Sequence, residues 1–243
     1  MDIEEYIFDW MDISDKLKDN SNTLLLNWSL NTTVYSVEEI GRKENELNLT
    51  LPTVLKQFYS LTDGFQLRWI HRNHPQFKDE EYTFDYSVSP LDLFSDDFSY
   101  SGCVNILPFD MVFNTDWNEV WSGWRENSSY SKKISVNGKK MAQGELFSKL
   151  YPFDFYGNGS TAAFYIDEQD FGVMLSTQYF LDFDSYPMID FEAYLQMIQS
   201  DYGLYRKRAF CFDKLRYNDH LTKEINTLDI EMYDSISQFE FLS

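Results

Sequence analysis

Cysteine, histidine and basic side chains are all scarce in this chain of 243 residues. Two cysteines, Cys103 and Cys211, are too few for a disulfide framework, and they read as small buried hydrophobes. The three histidines (71, 74 and 220) come with no G-x-S-x-G and no cysteine in a catalytic setting, so no nucleophilic triad can be argued. His71-Arg-Asn-His74 offers two imidazoles, but zinc wants four ligands and neither cysteine is near, which favours a loop. P-loop and dinucleotide fingerprints are missing too.

The shortage of Lys and Arg matters most. Twenty of them face 40 Asp and Glu, a formal charge of −20. Bare nucleic acid is a poor partner for such a chain, because affinity there comes from basic groups displacing phosphate counterions. An anionic membrane surface is disfavoured for the same reason. A protein with a basic surface would instead be steered in, faster at low salt.

Long apolar runs are lacking as well. No segment approaches the roughly 20 residues of a membrane helix. The start, MDIEEYIFDWMDISD, is acidic and has no basic leader region, so it does not read as a secretory signal. A cytoplasmic protein is the expectation. Five N-x-S/T matches (Asn27, Asn31, Asn48, Asn127 and Asn158) then read as chance in an Asn- and Ser-rich chain. There is no internal repeat and no low-complexity linker.

What is present is a core. Hydrophobic residues make up 43% and aromatics 18%, led by 21 Phe and 17 Tyr, which favours strands. Residues 1–19 read as an amphipathic helix with Tyr6, Ile7, Trp10 and Met11 on one side. Residues 23–35 fit a helix or a strand. Ser36-Val-Glu-Glu39 is a capping box, starting a helix to about Glu46 with Val37, Ile40 and Leu47 inward.

The run LTLPTVLKQFYSLTDGFQLRW (49–69) follows. Pro52 suits the first helical position. Leu51, Leu55 and Phe58 form a stripe widened by Val54 and Leu61. Gly64 is expected at C′ in the left-handed conformation. Phe65, Leu67 and Trp69 then alternate like a half-buried strand.

Strand-like runs fill the middle, at 82–90, 104–113, 132–142, 161–168 and 171–183. Asn137-Gly138 predicts a two-residue hairpin turn, and Asn158-Gly159 is a second turn signal. Asp190 predicts a cap for a helix with Phe191, Tyr194, Leu195 and Ile198 on one face, stopped at about Gly203. The class is therefore α+β: an antiparallel or mixed sheet covered by N-terminal helices and a C-terminal helix. Residues 1–203 make the domain. Residues 204–243, opening on Arg206, Lys207 and Arg208, form a basic extension expected to pack on it as a helix or strand.

The stretch 37–69 resembles the signature of the SUKH superfamily, which groups fungal cell-wall-assembly regulators of the Smi/Knr type, Syd-like proteins and bacterial immunity proteins. The residues that carry the likeness are Glu44 or Glu46, Leu51-Pro52, Leu55, Phe58-Tyr59 and Asp63-Gly64. The order of turn, paired strands and terminal helix after Tyr156 is also similar. Asp63 stands where Asn is commoner, and the segment 70–160 is long for the pattern. The resemblance implies binding rather than catalysis. Bacterial members neutralise a toxin domain, often a nuclease; fungal members act as regulatory scaffolds.

Residues 151–201 hold nine carboxylates and no Lys or Arg, interleaved with aromatics. Asp167, Glu168, Asp170, Asp182 and Asp184 are the candidate contacts for a basic toxin surface. The opposing reading sends the rings into the core and the carboxylates into water. A third possibility is a divalent metal site on Asp167, Asp170, Asp182 and Asp184, although no twelve-residue calcium loop is present. Neither a cofactor nor a metal is the leading expectation. Trp117, Trp121 and Trp124, spaced like one helix face, fit core packing or an exposed anchor.

Overall fold

A computed structural model describes residues 1–71, 101–117, 132–157, 160–167, 170–176, 185–186, 188–200, 202–204 and 208. The expected runs at 82–90 and 177–183, the Asn158-Gly159 turn, Trp121, Trp124, Cys211, His74 and His220 lie outside them.

Helix α1 (Ile3–Asp19) starts where the Asp2 carboxylate accepts from the amides of Glu4 and Glu5 at 3.0 and 3.3 Å. This satisfies two of the four amides that a helix start leaves without partners. Its buried stripe runs through Ile3, Tyr6, Ile7, Trp10, Ile13 and Leu17. Met11 was expected on that stripe; it points outward at 42% exposure, one residue past the Trp10 line. The chain continues as strand β1 (Thr23–Leu30), which settles the open choice for this region.

The capping box at the start of α2 (Val37–Leu47) is formed on both sides: the Glu39 amide donates to Ser36 Oγ, and the Ser36 amide to the Glu39 carboxylate. Val37, expected inward, is 82% exposed because the helix turns Ile40 and Leu47 to the body. Helix α3 is Thr53–Leu61, so Pro52 is its N-cap rather than its first residue. Leu55 and Phe58 are buried, whereas Leu61, expected in the stripe, is 41% exposed.

The end of α3 also differs from expectation. Thr62 leaves the helix in an extended conformation, so Gly64 is not its C′ residue. Gly64 instead uses its φ of +86° in the tight turn into strand β2 (Phe65–His71). A Cβ there would sit 2.2 Å from the Ile106 carbonyl oxygen, so glycine is required by contact as well as by conformation.

Strand β3 (Ser101–Ile106) ends before Leu107-Pro108, and α4 (Phe109–Asn114) follows, correcting the expected single strand over 104–113. Pro108 explains the change, since proline ends a strand and suits a helix start. The Asn137-Gly138 hairpin joins β4 (Lys133–Val136) to β5 (Lys139–Ala142), with both turn residues at positive φ as a type I′ turn demands. A short helix α5 (Gln143–Phe147) leads into β6 (Leu150–Gly157), β7 (Ser160–Asp167) and β8 (Asp170–Ser176). After β9 (Ser185–Tyr186), Asp190 caps helix α6 (Phe191–Ser200) by accepting from the Ala193 amide at 2.6 Å.

The fold is α+β. The main sheet has the order β1-β2-β3-β6-β7-β8, antiparallel throughout, and a smaller sheet has the order β5-β4-β9 with a parallel β4–β9 pair. Helices α1, α3 and α6 cover one face of the main sheet through Trp10–Phe65, Phe58–Phe65, Phe58–Phe191 and Phe153–Phe191 ring contacts. Strand β7 is buried from Ser160 to Ile166, so the other face is covered there too.

Candidate functional site

The expected acidic surface begins with Asp167 and Asp170, which face each other across the last pair of the β7–β8 ladder. Like charges placed opposite repel, and two lysines relieve the strain. Lys149 lies 3.0 Å from Asp167 and 3.1 Å from Glu145. Lys139, at the hairpin turn between β4 and β5, pairs with Asp170. The Tyr165 hydroxyl also donates to Asp167 at 3.2 Å. Burial and the neighbouring Asp167 charge push the Tyr165 phenol up to about 12, and Lys149 tempers this. Burial works against the Lys149 ammonium, yet its carboxylate bonds raise it above the ordinary lysine value. Glu168, Asp182 and Asp184 lie outside the described residues, so of the candidate set the structure places Asp167 and Asp170.

Other carboxylates of the acidic stretch also have internal work. Asp190 caps α6, and Glu192 accepts from the chain's N-terminal ammonium at 2.7 Å. Asp154 is not on the surface at all. It is fully buried on β6, accepting from the Asn105 amide at 2.8 Å, the Tyr194 hydroxyl at 2.5 Å and Arg208 Nη1 at 3.0 Å. Burial pushes its carboxyl above the usual carboxylate range, and Arg208, Tyr194 and Asn105 pull it back.

Arg208 closes a gap in the sheet. β3 and β6 pair only at Ile106 and Asp154. Beyond that point Leu204 bridges to Gly102, and the Cys103 amide donates to the Gly203 carbonyl at 2.9 Å. The Arg208 guanidinium spans the opening, donating to the Cys103 and Gly203 carbonyls while lying 4.1 Å from the centre of the Tyr156 ring. This cluster is a structural clamp, and the sequence reading missed it. Its one signal was an acidic residue between Phe153 and Phe155 in an aromatic strand.

The 37–69 stretch is likewise architectural. Glu44, rather than Glu46, joins the two helices: it accepts from the Leu51 amide at 2.7 Å and from Lys56 at 3.1 Å. Glu46 pairs outside with Lys43. Asp63 receives the Phe109 amide at 2.6 Å, tying the α3–β2 turn to the start of α4, and the Asn31 side chain at 3.2 Å.

A cleft of about 270 Å³ lies between α2 and α4, lined by Tyr35, Glu39, Arg42, Lys43, Glu46 and Asp110 among others. Burial and the nearby Asp63 and Asp110 charges push the Tyr35 phenol up to about 12, so it stays protonated at neutral pH. Cys103 is buried, and burial lifts its thiol to about 12, which leaves no thiolate for nucleophilic attack. Among the described residues no group of three or more His, Cys, Asp and Glu side chains is placed to hold a metal ion. Among them, too, no helix is long and apolar enough to cross a membrane.

Compared with known proteins, the chain matches no family model, and no curated protein matches it.

Proposed function

We propose that this chain is a non-enzymatic binding protein of the SUKH type: a cytoplasmic immunity protein that neutralises a cognate bacterial toxin domain by occupying a basic region around its active site. A nuclease domain fits well as the partner, because its phosphate-reading surface is cationic. The observation that carries this reading is the charge of −20 on a folded α+β body. Such a field draws in a cationic partner and repels phosphate and anionic lipid. The 37–69 signature supports it as a scaffold, with Glu44 and Asp63 fixing its two turns.

The test is to produce the toxic C-terminal domain encoded by the adjacent reading frame, with and without this protein. Co-elution as one complex and survival of the producing cells are the expected results. Two separate peaks and unrelieved toxicity would refute the reading.

A further inference from the structure

Among the described residues, the largest group of exposed carboxylates outside any ion pair lies on α1. Glu4, Glu5, Asp12 and Asp15 are exposed on its outer side, and among the described residues none of them is in an ion pair. The described acids of the β7–β8 end, by contrast, already hold lysines. A partner's cation must displace an ammonium there, whereas on α1 it displaces only water.

The same face carries apolar groups that folding does not use. Helical geometry turns about 100° per residue, which sets Phe8 about 160° round the axis from Trp10 and about 180° from Leu17. Phe8 therefore projects opposite the buried stripe, and it is 58% exposed. Met11, one turn along at i+3, is 42% exposed beside it. The core stripe is complete without either. A phenyl and a thioether side by side, ringed by unpaired carboxylates, have the form of an interface anchor inside a charged rim.

We infer that the outer face of α1 is the docking surface for a basic protein, with Phe8 and Met11 seated in an apolar recess of that partner and Glu4, Glu5, Asp12 and Asp15 against its lysines and arginines. The partner is the toxin domain, so the inference rests on the function proposed above and names the surface that performs it. A second copy of this chain is disfavoured as occupant by charge, since each copy carries −20.

The experiment titrates the toxin domain of the adjacent reading frame against the full chain by calorimetry. The double variant Phe8→Ala/Met11→Ala should weaken binding at least tenfold with an unchanged circular dichroism spectrum. Asp12→Lys/Asp15→Lys should weaken binding several-fold at low salt. Val37→Ala, which trims an exposed apolar side chain on α2, should leave affinity within twofold. Dilute peroxide should oxidise Met11 more slowly in the complex than in the free protein. Tight binding that ignores all α1 variants, or that falls only with Asp167→Asn/Asp170→Asn, would overturn this surface while leaving the proposed function standing. A wild-type chain that does not bind the domain would overturn both.

Discussion

Arg208→Met tests the buried clamp. The substitution keeps an unbranched apolar stem and removes the charged guanidinium. Arg208 and Asp154 are both fully buried with Nη1 and Oδ2 3.0 Å apart. At that separation two unit charges attract by about 5 kcal/mol at an effective dielectric near 20. Removing one member of a buried pair costs about 3–5 kcal/mol in practice, so a loss of about 4 kcal/mol at pH 7 is expected. That is a large part of the roughly 5–15 kcal/mol that holds a domain together.

The sign of the pH dependence follows from Asp154. Burial already raises its carboxyl above the ordinary value of 3.8, and losing Arg208 removes the largest influence pulling it down. The folded variant then holds a proton that the unfolded chain releases, so its stability falls as pH rises from about 4 towards the folded value. The penalty should therefore shrink on acidification, by up to about 1.4 kcal/mol per pH unit. Urea unfolding followed by tryptophan fluorescence at pH 5.5 and 7.5, at fixed ionic strength, measures it. Adding Asp154→Asn to the variant should recover more than half of the loss, as coupled partners do. A penalty below 1 kcal/mol, or one that grows in acid, would refute the clamp.

Three further outcomes follow from contacts elsewhere. Gly64→Ala places a methyl group 2.2 Å from the Ile106 carbonyl at a φ of +86°, and should cost about 3 kcal/mol; Gly138→Ala has a φ of +82° but open space, and should cost about 1 kcal/mol. Equal losses in denaturant titrations would contradict the close approach at Gly64. Asp63→Ala strands the buried Phe109 amide and should cost about 2 kcal/mol, lowering Tm by roughly 4–8 °C in calorimetric scans, with Asp63→Asn milder. An unchanged Tm would mean the turn does not hold α4. Lys139→Ala breaks only an exposed pair and should change stability by less than about 0.5 kcal/mol in the same scans; a larger loss would mean that pair does more than neutralise Asp170.

What the sequence made legible was local. The Ser36–Glu39 box, the Asn137-Gly138 hairpin and the Asp190 cap each involve residues within three positions of one another, and each formed as expected. Helical phase was harder: Val37, Leu61 and Met11 are apolar by type but sit just off the buried line. The run 104–113 is apolar except at Asn105 and Asp110, so periodicity could not show that Pro108 divides a strand from a helix.

The partners of the acidic stretch were hidden for a different reason. Counting charges within 151–201 found no cations, yet folding brings Lys139, Lys149 and Arg208 to that region from sequence-distant positions. The Asp154–Arg208 pair is 54 residues apart in sequence, beyond any local pattern. Free carboxylates on α1 became visible only once the paired ones were subtracted.

The most direct measurement is a stoichiometric titration of the proposed toxin partner's catalytic activity with this protein. Occlusion predicts a linear fall to complete inhibition at one molar equivalent, reversed on dissociation in high salt with the toxin chemically intact. Inactivation by a small fraction of an equivalent, with a covalent change in the toxin, would show turnover and contradict the account.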